Sequence, residues 1–206
     1  VPGGDPAHRL LPRYTVDLPE VQAIVSEMRR VLDEFCNAES SRLLIAEVYL
    51  PVQRLMNYYG MDAAGVLRGA QLPFNFHLIG AKWQAQVVDQ LVRAYEAALP
   101  PGAAPNWVLG NHDKSRIASR VGEMGARLAA MLLLTLRGTP TLYYGDELGM
   151  TDVPIQMNEV QDPFEKREPG RGLGRDPERT PMPWQGDHAN AGFTTGRPWL
   201  RLSSDW

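Results

Sequence analysis

The sequence is poor in the features that commit a chain to a special environment. Cys36 is the one cysteine in 206 residues, so no internal disulfide can form. It falls near the end of an amphipathic stretch and reads as a packed thiol. There is no excess of basic residues. Lys and Arg number 21 against 24 Asp and Glu, a net charge of −3, which gives no reason to expect a nucleic acid or an anionic membrane as partner. There is no long apolar run either. The longest, LAAMLLLTL at 128–136, lies between Arg127 and Arg137 and is too short to span a bilayer, so it predicts a buried helix. No secretory leader or transit segment is visible after Val1, and a cytoplasmic location is the expectation. The four histidines (His8, His77, His112, His188) show no metal-ligand spacing. No strand is followed by a glycine-rich phosphate loop.

What is present is an alternation. Residues 1–16 read as loop. Asp17 can cap a helix with Pro19 in its first turn. Val21, Ile24, Val25, Met28, Val31, Leu32 and Phe35 then recur at steps of three and four. RLLIAEVYL at 42–50 predicts a strand, with Leu43, Leu44 and Ile45 buried. VQRLMNYYG predicts a short helix ending at Gly60, and a loop follows. LPFNFHLI at 72–79 has strand character and precedes a helix carrying Trp83 to Leu99. PPGAAP breaks that helix. NWVLGNHD at 106–113 is a third strand. An apolar helix covers about 119–137, with Met124 and Met131 in its core. TPTLYYGDE is a fourth strand, and beyond residue 151 glycine, proline and charge dominate.

Helices alternating with short, uniformly apolar strands form the α/β pattern of a parallel sheet covered by helices. Two closures fit, an open doubly wound sheet and a (β/α) barrel. The missing phosphate loop weakens the nucleotide-binding version of the first.

Three strands end in polar groups: Glu47; Asn111, His112 and Asp113; and Asp146 and Glu147. In barrel enzymes the reacting groups sit at such C-terminal ends. Two carboxylates flanking a bond are what glycoside hydrolysis needs. Tyr49, Phe74, Phe76, Trp107, Tyr143 and Tyr144 lie near strand ends and could offer flat faces to sugar rings. Each carboxylate also has a plainer reading. Glu47 could cap a helix or pair with an arginine, and Asp113 could cap the next helix. Asp146 and Glu147 read as structural loop residues. Asp176, Glu178 and Arg179 fall in a charged coil that reads as solvated surface.

The ordered segments LLIAEVYLP, WVLGNHDKSRIASRVG, GTPTLYYGDELGM and QDPFEKREPGRGLGRDPERTPMPW, with NAGFT, resemble the α-amylase superfamily of glycoside hydrolases. More narrowly they resemble its bacterial α-glucosidase and oligo-1,6-glucosidase branch. The resemblance implies a partial (β/α)8 TIM barrel. Residues 1–150 would be the C-terminal half, strands five to eight, and 151–206 the long loop region after strand eight, with the last helix and a C-terminal β-domain absent. It implies a retaining α-glucosidase acting on short oligosaccharides. Glu47 would be the acid/base and Asp113 the transition-state stabiliser. His112 and Arg179 would bind glucose, with Arg175 as the alternative to Arg179. Phe74 would wall the pocket and Arg116 would steady the loop behind Asp113. The apolar residues before Glu47 would desolvate it and favour its protonated form.

The nucleophilic aspartate, which in this family follows the fourth strand, is not found. On this reading the 206 residues alone are inactive and a longer parent is active. No cofactor or metal is implied within the chain, although family members often hold calcium or magnesium in the other half. The partner expected is an oligosaccharide, with no nucleic acid or membrane, and the sequence sets no oligomeric state. Ala46, His77 and Pro183 replace the family's usual glycine, glutamine and glutamine, which bears on substrate preference. A transglucosylase or sugar isomerase of the same family is the near alternative, and a non-catalytic relative the distant one.

Overall fold

The structure is a computed structural model that describes residues 16–203. The loop expected for residues 1–16 lies outside the described residues, except for Val16. The elements in order are α1 (Pro19–Glu34), β1 (Ile45–Ala46), α2 (Val52–Leu55), β2 (Leu72–Asn75), α3 (Ala85–Ala98), β3 (Asn106–Val108), α4 (Ile117–Thr135), β4 (Thr139–Thr141) and α5 (Pro163–Arg167). Single 3-10 turns follow α2 and β2 and recur after β4. No described helix is long and apolar enough to cross a membrane. Helix and strand alternate as the pattern predicts, and every strand pairing is parallel. The chain divides into two compact units, residues 1–73 with 97–104, and residues 74–96 with 105–206.

In the first unit β1 pairs with the start of β2, Ile45 against Leu72 and Ala46 against Pro73. The buried residues include Leu55, Tyr58, Tyr59 and Ala70. Burial of a side chain the size of Leu55 contributes about 2 kcal/mol. The Tyr59 hydroxyl donates to the Ala104 carbonyl at 2.9 Å, which leaves its polar end satisfied inside. Gly60 ends the turn after α2 in the left-handed region at φ 64°. A β-carbon there would meet the backbone of Gly69 at 2.5 Å, so both conformation and space require glycine.

Several expectations fail in this unit. Asp17 does not cap α1. Leu18 occupies the cap position without a side-chain bond, and the Asp17 carboxylate pairs with Arg54. The strand expected over 42–50 shrinks to two residues. Leu43 and Ile45 are exposed, the latter at 50 %. The amphipathic face of α1 forms as spaced, yet no residue of α1 is buried and Ile24, Met28, Val31 and Phe35 face solvent. Cys36 is half-buried, and its sulfur accepts from the Arg42 amide at 3.2 Å.

In the second unit the end of β2 pairs with β3, Phe74 against Asn106, and β3 pairs with β4, Asn106 against Thr139 through Val108 against Thr141. Phe76, Ile79 and Val108 form a buried cluster on which Phe74 packs, its ring 5.3 Å from Phe76. Tyr95 of α3 lies 5.3 Å from Trp107 of β3, and the Trp107 indole donates to the Arg137 carbonyl at 2.9 Å. The strand expected over 72–79 ends at Asn75, because its side chain accepts from the His77 amide and starts a 3-10 turn. Trp83 precedes α3 rather than lying in it. The helix expected over 119–137 starts two residues earlier and is interrupted at Gly122, at φ 73°. It buries Ala126, Ala129 and Leu133, but Met124 is 71 % exposed and Leu128, Met131 and Leu134 are exposed with it. Met124 and Met131 are therefore not core residues. They share a face that nothing in the described residues covers.

Candidate functional site

The best-built polar site grows from the end of β3. After Val108 the chain runs through Leu109 and Gly110 to Asn111, which is buried. The Asn111 side-chain oxygen accepts from the Asp113 amide at 3.0 Å. That side-chain turn places His112 and Asp113 beyond the strand end. The Asp113 carboxylate receives three nitrogen neighbours on one oxygen, Oδ1. Arg175 Nη1 donates at 2.9 Å and Arg179 Nη2 at 2.8 Å, and His112 Nε2 lies 3.4 Å away. Arg179 also donates through Nε to the His112 carbonyl at 2.7 Å. Partial burial pushes the Asp113 carboxyl up. The Arg175 hydrogen bond and the charges of His112, Arg175 and Arg179 outweigh it and hold the group below its usual value.

Arg175 is itself held. Its Nε and Nη2 donate to the two oxygens of Asp162 at 2.7 and 3.1 Å, a bidentate pair. The Asp162 side chain is fully buried. It caps α5 by accepting from the Phe164 amide at 3.0 Å and accepts from the Arg175 amide at 2.8 Å. The Arg175 bonds, which outweigh the cost of burial, hold Asp162 well below the carboxylate range. The Phe164 ring lies 4.7 Å under the Arg175 guanidinium. Glu165 closes the glycine-rich loop by accepting from the Gly170 and Gly174 amides at 2.6 and 3.1 Å.

Arg116 is buried at 0 % exposure. Its amide donates to Asp152 at 2.8 Å and its Nη1 to the Tyr144 carbonyl at 2.6 Å. It thus supports the end of β4 rather than touching Asp113. Asp146 and Glu178 lie near enough to feel its charge. Burial, opposed by the Tyr143 amide, raises Asp146 to about 6. Burial raises Glu178 to about 7, aided by the Asp152 charge and opposed by its own amide and by Arg179 and Arg116. Gly145, at φ 84°, sits where a β-carbon would strike Met150, so this turn requires glycine.

The charged coil read as solvated surface is therefore mostly interior. Asp176 and Glu178 are each 5 % exposed, and Asp176 accepts from the Gln161 and Asp162 amides at 2.6 and 2.9 Å. Only Arg179 of the three is partly open. The aromatic residues sort differently from expectation too. Phe76 and Trp107 are core. Phe74 packs on that core and does not line the neighbouring cavity. That cavity, of about 630 Å³, is lined by His112, Arg179, Tyr143, Tyr144, Trp184 and Trp199 among others.

Glu47 follows β1 in the first unit and is exposed. Asp113, His112, Arg175, Arg179 and Arg116 belong to the second unit. Asp162 was missed in the sequence. The signal that could have found it is the Asp-Pro step opening QDPFEK, a helix-start pattern.

Comparison with known proteins fits this geometry. Residues 5–206 match the model of the α-amylase catalytic domain. The salivary α-glucosidase of Anopheles gambiae is 40 % identical over 200 residues, which are 93 % of this chain and 33 % of that protein. Maltase A1 of Drosophila melanogaster is 38 % identical over 202 residues, 94 % of this chain and 34 % of that one. The crystal structure of the α-glucosyl transfer enzyme XgtA superposes with a TM-score of 0.77 at 29 % identity, covering 91 % of this chain and 34 % of that one. The chain thus spans about a third of the length of the curated relatives it matches, and its fold is that of part of a (β/α)8 barrel. These relatives are insect enzymes and do not narrow the chain to the bacterial oligo-1,6-glucosidase branch. The cytoplasmic expectation is contradicted by the similarity to salivary α-glucosidases. Within these limits the alternating elements, the polar strand ends and the full-length family match agree, and the chain belongs to the α-amylase catalytic-domain family.

Proposed function

We propose that this chain is part of a longer retaining α-glucosidase that hydrolyses short α-glucosidic oligosaccharides. The observation that carries the reading is the Asp113 carboxylate fixed by Arg175, Arg179 and His112 at the end of β3. Such a group stays ionised and stationary, which suits stabilisation of the positive charge that develops on the sugar ring. With Oδ1 occupied by its three neighbours, Oδ2 is the oxygen offered to sugar hydroxyls. Glu47 is assigned the acid/base role. In the first step it gives its proton to the leaving glycosidic oxygen while an aspartate outside this sequence attacks the anomeric carbon. In the second it takes a proton from the incoming water as the covalent bond breaks. His112 and Arg179 contact the bound glucose. The chemistry needs side chains and water alone.

A second reading, favoured by likeness to the α-glucosyl transfer enzyme XgtA, replaces the water with a sugar acceptor. The test is the full-length enzyme incubated with maltose and its products separated by chromatography. Hydrolysis gives net free glucose, and transfer gives longer or rearranged saccharides. If neither product forms while an unrelated α-glucosidase control works, the proposal falls.

A further inference from the structure

Residues 178–180 are fastened in an unusual way. Their three consecutive carbonyls each accept one hydrogen bond from an aromatic side chain. The Tyr143 hydroxyl donates to Glu178 at 3.1 Å, the Trp199 indole to Arg179 at 3.1 Å and the Tyr144 hydroxyl to Thr180 at 2.7 Å. The middle residue is the arginine whose guanidinium holds the His112 carbonyl and Asp113 Oδ1. The donors are themselves fixed. The two tyrosine rings meet edge to face at 4.7 Å. The buried Arg116 guanidinium lies over both, 4.9 Å from Tyr143 and 4.7 Å from Tyr144. Trp199 packs edge to face on Phe193 at 6.0 Å. Beyond Tyr144 the chain turns sharply at Gly145, where only glycine fits.

We propose that Tyr143, Tyr144 and Trp199 are positioning residues for the Asp113 site, setting the backbone from which Arg179 reaches Asp113. None needs to touch substrate to act. A segment free to shift by an ångström would carry the guanidinium off Oδ1, and misplacement on that scale can cost about a hundredfold in rate. The donors are one hydroxyl, one indole N–H and one hydroxyl. Phenylalanine at the tyrosine positions would keep the ring packing and remove the tether together with the hydrogen bond between the two hydroxyls.

The kinetic arm of the test rests on the reading given under Proposed function, and the structural arm does not. In the full-length enzyme, Tyr143→Phe with Tyr144→Phe is expected to lower kcat on maltose about tenfold with a smaller change in KM. The thermal midpoint should fall as two buried carbonyls lose their donors, with the enzyme still folded at the assay temperature. On an Arg179→Met background the same pair should cause no further loss, because the contact they serve is gone. Full additivity of the two losses, or no loss from the pair, would overturn the proposal. A crystal structure of the double variant decides independently. Arg179 Nη2 should leave hydrogen-bond distance of Asp113, and an unchanged contact would refute the tether. If the unaltered enzyme had no action on α-glucosides, the proposed function would fail, and the crystal structure would still decide the tether.

Discussion

The two units handle their key carboxylates in opposite ways. In the second, Asp113 is gripped by two arginines and a histidine, and Arg175 is gripped in turn by buried Asp162. In the first, Glu47 stands exposed after a two-residue strand. One carboxylate is prepared for a fixed negative charge. The other is exposed to solvent. A stabiliser works by not moving, and its donors must be in place before the reaction. An acid/base must change its protonation state twice per turnover, so two bound arginines would disable it.

The comparison can be broken most decisively at Glu47. Glu47→Gln in the full-length enzyme is expected to lower kcat/KM on maltose by about a thousandfold. The loss on p-nitrophenyl α-glucoside should be much smaller, because nitrophenolate leaves without being protonated. Equal losses on the two substrates would remove the acid role. The next effect is on stability. Arg175→Met leaves the buried Asp162 carboxylate unpaired and is expected to cost about 3 kcal/mol in urea unfolding, along with roughly tenfold in kcat.

A third variant probes the interior charges. Glu178 is raised to about 7 from an ordinary 4.5. The folded state therefore holds its proton more tightly than the unfolded state, and stability from this group is full below about pH 4.5 and lost as pH rises through about 7. Glu178→Gln, which mimics the protonated form, should stabilise the protein by about 2 kcal/mol at pH 8 and by nothing at pH 4. Asp162 works with the opposite sign. Its carboxyl is held low, so its contribution is present above the usual carboxylate pKa and lost as the pH falls through its depressed value. The smallest effect belongs to the first unit. Arg30 pairs with Glu34 at 2.5 Å on an open helix surface, and Arg30→Ala should change unfolding stability by less than about 0.5 kcal/mol.

Much of the architecture could be read directly. Turn signals and apolar runs located α1 to α4 and β1 to β4 in the right order, since each run is bounded by proline, glycine or polar residues, but α5 was missed in the charged stretch beyond residue 151. Glu47, His112 and Asp113 stood out because each follows an apolar run. What failed was burial. Met124 and Met131 sit on a helical face spaced like a core face, but spacing says only that a face exists, and a partner must come from elsewhere to cover it. The error at 176–179 ran the other way. DPER reads as surface, yet Asp176 and Glu178 are enclosed because two backbone amides and two arginines meet them there. The pairing of Asp162 was invisible for the same reason, although its place as a helix start was not. Its role depends on Arg175, thirteen residues away, and no local pattern announces that pairing. Asp17 looked like a helix cap and became an ion-pair partner of Arg54.

The most direct measurement is the kcat/KM of the full-length enzyme carrying Asp113→Asn, on maltose and on p-nitrophenyl α-glucoside side by side. A fixed charge that stabilises the sugar cation matters equally whatever the leaving group is. The account predicts a fall of at least about a hundredfold on both substrates. Activity within a few-fold of the unaltered enzyme on either would contradict it.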